Sequence, residues 1–170
     1  RKGHVKPVRQ KWFGCACCPP NLARTIASLT DYAVNRTETE LFQHLYLAGK
    51  YTCTFAGIPV TISLQGNYPW EGDLKIAVEP EKPVSFAYAL RIPGWCEGKY
   101  SLKVNGKAAA EQAGNGYVSL QREWTSGDVI ELSLPMEAKR IWANRQVRED
   151  AGKVAVQRGP LVYCLEEADN

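Results

Sequence analysis

The chain has 170 residues, of which 45% are hydrophobic and 23% are charged. This composition is typical of a globular protein with one domain, or with one domain and part of another. The net charge of +3, from 21 basic and 18 acidic residues, is too balanced to indicate a nucleic-acid or membrane-surface protein.

The first predicted element is a helix that follows the cysteine- and proline-rich residues 15–21. Prolines at positions 19 and 20 suit a first helical turn. Four apolar residues then recur at helical spacing and form one stripe: Leu22, Ile26, Leu29 and Ala33. We expect the helix to end near residue 35. One amphipathic helix cannot bury its own stripe, and the chain does not begin with methionine, so we expect a fragment of a longer protein.

From about residue 40 the pattern changes to short strands. Segments rich in β-branched and aromatic residues alternate with turns that contain Gly, Asn, Pro or Asp. The predicted strands are 41–47, 50–55, 59–65, 74–78, 84–92, 100–104, 117–120, 129–134, 154–157 and 161–165. Many short strands without intervening helices predict a mainly β fold, an antiparallel β-sandwich preceded by one helix. The predicted division is a helical segment over 1–35 and a sandwich, complete or incomplete, over 36–170.

The six cysteines do not have the spacing of a disulfide scaffold. Adjacent Cα atoms lie about 3.8 Å apart, whereas a disulfide requires about 4.4–6.8 Å. We therefore expect reduced thiols and, because no export signal is visible, a cytoplasmic protein. The three cysteines scattered through strand-like sequence are expected to be small buried hydrophobic residues: Cys53, Cys96 and Cys164.

The remaining cysteines form the only dense cluster of chemically reactive residues. Cys15, Cys17 and Cys18 lie within four residues at the start of the predicted helix, where unpaired backbone N–H groups favour a negatively charged thiolate. Zn²⁺ also accepts thiolate ligands, although it usually takes four. From spacing alone, a functional thiol or metal site and a packed structural cluster are equally compatible with the pattern.

A longer stretch of sequence gives the cluster a family context. Residues 12–24, WFGCACCPPNLAR, resemble the corresponding stretch of glycoside hydrolase family 127, and Cys-Cys-Pro-Pro-Asn is their most specific part. Four downstream segments resemble the same family in the same order: 90–95, 124–128, 134–136 and 156–163. The resemblance thus extends over essentially the whole chain.

The resemblance implies a helical (α/α) barrel followed by β-sandwich domains, with residues 1–35 as the end of the barrel. It implies a retaining β-L-arabinofuranosidase, or a related enzyme, acting on an L-arabinofuranoside-containing glycan through a zinc-bound cysteine. By position, Cys17 would be the catalytic nucleophile and a zinc ligand, and Cys18 a second zinc ligand. A glutamate and a cysteine of a Glu-x-Cys segment, and the acid/base glutamate, would lie upstream of this chain.

Several expectations follow for the chain itself. It should be inactive alone and hold zinc weakly or not at all. We expect no nucleic-acid or membrane partner, and the sequence leaves the oligomeric state open. The resemblance supplies no role for Cys15, which could be a neighbour of the site, a spare thiol or a packed residue; we favour packing. The alternative is a non-catalytic module in which the sandwich binds carbohydrate or supports the barrel. Four tryptophans are expected to pack at sandwich corners rather than form a sugar platform: Trp70, Trp95, Trp124 and Trp142.

Overall fold

The chain enters its β-structure through one helix. In the computed structural model, which describes residues 14–15 and 17–164, helix α1 spans Cys18–Ala27 and has proline in its first turn, as predicted. A 3₁₀ helix follows at Leu29–Tyr32. The α-helix ends earlier than predicted because Ser28 leaves helical geometry, at φ −100° and ψ 4°. Its hydroxyl bonds back to the Arg24 carbonyl, 2.9 Å away, as serine does where it competes with helix continuation.

Thirteen strands follow in the described part of the chain. They are β1 (Val34–Arg36), β2 (Glu40–Gln43), β3 (Gly49–Phe55), β4 (Ile58–Gly66), β5 (Asp73–Pro80), β6 (Val84–Arg91), β7 (Ser101–Val104), β8 (Lys107–Ala108), β9 (Tyr117–Trp124), β10 (Asp128–Ser133), β11 (Ala138–Ile141), β12 (Ala155–Arg158) and β13 (Leu161–Tyr163). Each predicted strand has a counterpart, but the strand predicted over 41–47 ends at Gln43, and residue 165 of the last predicted strand lies outside the described residues. Strands β1, β8 and β11 were not predicted.

The strands form three sheets. A four-stranded sheet has the order β1-β2-β6-β9, a six-stranded sheet has the order β3-β4-β5-β10-β7-β8, and a smaller sheet has the order β11-β12-β13. All neighbours are antiparallel except β2 and β6, which run parallel. This pair is parallel because the chain leaves β2, runs through three strands of the six-stranded sheet, and returns to β6 in the same direction. The sequence pattern did not indicate this crossover.

The two larger sheets enclose one hydrophobic core. In β4, β5 and β10, buried residues alternate with more exposed ones, as expected for strands with one face on a core and one towards solvent. Across the sheets, the rings of Phe55 and Phe86 stack with centroids 4.2 Å apart. The indole N–H of fully buried Trp124 donates to the Phe86 carbonyl at 3.0 Å. The predicted mainly β fold with antiparallel sheets is therefore confirmed.

The third sheet, β11-β12-β13, packs less completely than the other two. Its strands leave apolar side chains exposed, among them Val156 and Val162.

Among the described residues, no helix has the length and apolar character needed to cross a bilayer. The boundary near residue 35 and the cytoplasmic location stay predictions.

Candidate functional site

The cysteine cluster lies at the mouth of α1. Cys17 is the N-cap residue, with φ −72° and ψ −34°, and Cys18 is the first residue of the helix. Cys15, Cys17 and Cys18 are all exposed, so Cys15 is not packed and that prediction is wrong. The Sγ atoms of Cys17 and Cys18 are 3.8 Å apart. The fold thus presents two neighbouring thiols side by side, with no bond between them.

The separation of the two sulfur atoms suits binding of both thiolates to one tetrahedral metal ion. Two thiolates bound to one tetrahedral zinc, each with a Zn–S bond of about 2.3 Å, have sulfur atoms about 3.8 Å apart. Cys17 and Cys18 match that separation, so they fit two of four zinc ligands. Within residues 14–15 and 17–164, no group of three or more His, Cys, Asp or Glu side chains is placed to hold a metal. Any further ligands would have to come from outside the described residues.

The apolar stripe of α1 has no covering partner among the described residues. Leu22 and Ile26 are 63% and 65% exposed, and no residue of the helix is buried. Ala33, the last member of the predicted stripe, lies beyond the helix and is completely buried. Its carbonyl accepts hydrogen bonds from the backbone N–H groups of residues 44 and 45. The helix is therefore anchored to the sandwich through its C-terminal connection.

Sequence reasoning missed a polar pair on the same helix. The Arg24 guanidinium donates through Nη1 to Oδ1 of Asn21 at 2.7 Å. The available signal was the spacing of these residues from Cys17, at i+4 and i+7, which places all three on one side of a helix. The family motif had already drawn attention to Asn21 without assigning it a role.

The scattered cysteines differ in their surroundings. Cys96 is buried, and burial raises the pKa of its thiol to about 11. Cys53 is half-buried, and burial raises its pKa as well. Cys164 is exposed after β13, so the prediction of a buried residue is wrong there. That prediction came from the strand-like sequence around Cys164, whereas the neighbouring residues of β13, Val162 and Tyr163, are exposed.

The tryptophans also divide into two groups. Trp124 is fully buried and Trp95 is half-buried against the core, as predicted. Trp70 and Trp142 are 59% and 63% exposed, so the prediction of corner packing is wrong for these two. Both lie outside strands, Trp70 in the turn before β5 and Trp142 directly after β11.

Asp128 is a buried carboxylate with a structural role. It accepts hydrogen bonds from Nδ2 of Asn105 at 2.6 Å and from the Thr125 backbone N–H at 2.8 Å. An Arg122 guanidinium nitrogen lies 3.6 Å from it. Burial acts to raise the pKa of Asp128, but the hydrogen bonds and the Arg122 charge outweigh it and lower the pKa. The carboxylate joins the turn before β10 to the turn after β7.

Family models match most of the chain in two segments. Residues 40–136 match the model described as β-L-arabinofuranosidase, GH127 middle domain, and residues 138–170 match the glycoside hydrolase family 127 C-terminal domain. A curated relative from Bifidobacterium longum subsp. longum, named non-reducing end β-L-arabinofuranosidase, is 43% identical over 174 residues. That alignment covers 98% of this chain and 26% of the relative.

Solved structures give the same result. The crystal structure of a GH127 β-L-arabinofuranosidase from Geobacillus stearothermophilus T6 superposes with a TM-score of 0.91 at 49% identity, covering 98% of this chain and 26% of that one. A second structure, a GH127 β-arabinofuranosidase, has a TM-score of 0.90 at 35% identity, covering 95% of this chain and 28% of that one. The chain thus spans about a quarter of the length of these relatives.

Proposed function

Because this chain belongs to glycoside hydrolase family 127, we propose that it is part of a longer β-L-arabinofuranosidase, here termed the parent protein. The parent would release β-L-arabinofuranose, or a related sugar, from an L-arabinofuranoside-containing glycan. The name of the Bifidobacterium relative supports this activity. Because the chain spans only about a quarter of that relative, the proposed activity belongs to the parent rather than to these 170 residues.

The observation that carries the proposal is the pair of exposed thiols at the mouth of α1, with sulfur atoms 3.8 Å apart. Cys17 and Cys18 would supply two zinc ligands, and the other two would come from the upstream Glu-x-Cys segment that the family resemblance implies. When bound, the metal would keep the sulfurs ionised near neutral pH. Within this chain, Cys18 begins α1 and Cys17 is its N-cap, so the start of the helix would position the backbone of both ligands.

We assign Cys17 as the nucleophile of a double displacement. Its thiolate would attack the anomeric carbon, forming a carbon–sulfur bond as the bond to the departing glycosidic oxygen breaks. A glutamic acid elsewhere in the parent would donate a proton to that oxygen. The resulting carboxylate would then take a proton from water, whose oxygen attacks the anomeric carbon and releases Cys17 as a thiolate. Two displacements at one carbon retain the anomeric configuration.

The 170-residue chain should be inactive by itself. It holds the nucleophile in this scheme but neither the acid/base glutamate nor the two upstream ligands. Isolated Cys17 and Cys18 cannot complete a tetrahedral site, so zinc should dissociate from the chain during dialysis against a chelator. Turnover of a β-L-arabinofuranoside by the chain alone, abolished by Cys17→Ser, would contradict this part of the proposal.

The parent provides the direct test of activity. We expect it to hydrolyse a chromogenic β-L-arabinofuranoside and to lose that activity on Cys17→Ser. Cys164→Ser is a matched control, because Cys164 is also an exposed thiol but follows β13, far along the chain from the cysteine cluster, and it should leave the rate unchanged. Full activity in Cys17→Ser would remove the nucleophile assignment. Bound zinc with no activity on arabinofuranosides would instead move the substrate to another sugar.

A further inference from the structure

The side of α1 that carries Cys17 also carries a polar pair. An α-helix turns about 100° per residue, so the residues at i+4 and i+7 lie about 40° and 20° from Cys17 around the axis. These residues are Asn21 and Arg24, and Cys17 itself has helical φ and ψ. Leu22 and Ile26 occupy a different side. The polar side of the helix therefore runs from the nucleophile assigned above to the Asn21–Arg24 pair.

The hydrogen bond within this pair fixes the orientation of the Asn21 amide. A guanidinium group has only donors, so Nη1 of Arg24 must face the amide oxygen, which it does at 2.7 Å. The Nδ2 group of Asn21, with its two N–H donors, then points away from Arg24. Among the described residues, no side chain or carbonyl accepts from Nδ2. The amide is oriented by one partner and has donor capacity left over.

We infer that Asn21 is a substrate-binding residue, which donates through Nδ2 to a hydroxyl oxygen of the sugar that Cys17 attacks. Arg24 is a positioning residue that acts through the Asn21 amide. Side chains at i and i+4 on a helix are about 5–6 Å apart at Cβ. That spacing accommodates a pentose whose anomeric carbon lies about 3–3.5 Å from the attacking sulfur. The inference rests on the proposed function.

The test is a cycle between protein and substrate variants in the parent protein. Asn21→Ala should lower kcat/KM for the intact β-L-arabinofuranoside on the order of 10-fold or more, the loss expected for one buried hydrogen bond. For one of three analogues, lacking the hydroxyl at C2, C3 or C5 of the sugar, Asn21→Ala should cause almost no further loss. A purely structural role for Asn21 would instead slow all substrates by the same factor, and that result would overturn the inference.

The role of Arg24 has its own readout. Arg24→Ala should slow the reaction when Asn21 is present and should add almost nothing in the Asn21→Ala background. Equal and independent losses would contradict a positioning role. Ser28→Ala removes a hydroxyl that bonds to the Arg24 backbone carbonyl at the end of α1. It is the control for general damage to the helix and should change kcat/KM less than two-fold.

Failure of the inference is distinguishable from failure of the proposed function. Suppose that Cys17→Ser abolishes activity and that Asn21→Ala keeps stoichiometric zinc. If Asn21→Ala then lowers kcat/KM by the same factor for the intact substrate and for every deoxy analogue, only the inference is wrong. If Cys17→Ser retains activity, the nucleophile assignment itself fails, whatever the effect of Asn21→Ala.

Discussion

Asp128 should be the carboxylate whose removal destabilises the sandwich most. Asp128→Ala removes the acceptor for Asn105 and for the Thr125 backbone, and hydrogen bonds to a charged group are worth about 1.5–3 kcal/mol each. The pair with Arg122 adds less than about 1 kcal/mol, because its 3.6 Å separation is long and Arg122 is partly exposed. Water reaches both donors once the carboxylate is gone, which reduces the loss. We expect Asp128→Ala to lower the free energy of unfolding by about 3 kcal/mol.

Thermal and urea unfolding of the purified chain would measure this loss. For a protein of this size, 3 kcal/mol corresponds to a fall in Tm of roughly 6–12 °C. The matched control is Asp73→Ala, because Asp73 lies on the same six-stranded sheet but is exposed and accepts one hydrogen bond, from Ser133. The control should cost less than about 1 kcal/mol. Equal losses in the two variants would refute the assigned role of Asp128.

The contribution of Asp128 should also depend on pH. Its pKa is lower in the folded chain than in the unfolded chain, where an aspartate titrates near about 3.9. The stabilisation is therefore fully present above about pH 4 and is lost as the pH falls through the lower folded pKa. Asp128→Asn cannot titrate at this position. The difference in unfolding free energy between the original chain and Asp128→Asn should be constant near neutral pH and shrink in acid; a difference that grew in acid would contradict the lowered pKa.

Two further predictions concern packing and thiol reactivity. A Cβ on Gly72 would lie 1.9 Å from the Leu134 carbonyl oxygen, so Gly72→Ala should lower the free energy of unfolding in urea by about 2–3 kcal/mol. The control is Gly94→Ala, which has open space around it and should change this free energy by less than about 1 kcal/mol. Similar losses in the two variants would contradict the close approach at Gly72. Iodoacetamide at pH 8 should label exposed Cys17 rapidly and leave Cys96 unlabelled until the chain unfolds, because Cys96 is buried and its pKa is raised to about 11; early labelling of Cys96 by peptide mass spectrometry would refute its burial.

The sequence predicted the positions of the β-strands better than it predicted which strands pair with each other. Alternating apolar residues and turn signals located most strands, because one face of each lies on the core. Strand β1 was missed because its three residues, Val-Asn-Arg, are too few to show alternation. Segments 41–47 and 50–55 were predicted as two strands joined by a short connection, but β2 and β3 lie in different sheets. Buried Tyr46, whose hydroxyl donates to the Arg91 carbonyl, anchors the chain between them.

The candidate site was predicted in part. The Cys-Cys-Pro-Pro-Asn sequence correctly indicated a helix beginning at the cysteine pair, since proline fits a first helical turn. The 3.8 Å separation of the sulfurs depends on side-chain rotamers and could not be obtained from spacing. The hydrogen bond between Asn21 and Arg24 was missed for the same reason. The further zinc ligands and the acid/base residue proposed above would belong to the rest of the parent protein, so the residues of this chain could not locate them.

The most direct test of the central claim is to identify the atom of the parent protein that carries the sugar during turnover. The parent would be mixed with a β-L-arabinofuranoside, denatured rapidly in acid and digested, and its peptides analysed by mass spectrometry. A carbon–sulfur bond survives acid better than an ester, so a cysteine adduct should persist. We predict one pentosyl group on the peptide containing Cys17, located on its sulfur and absent from Cys17→Ser. A pentosyl group on a carboxylate, or release of sugar with inverted anomeric configuration, would contradict the account.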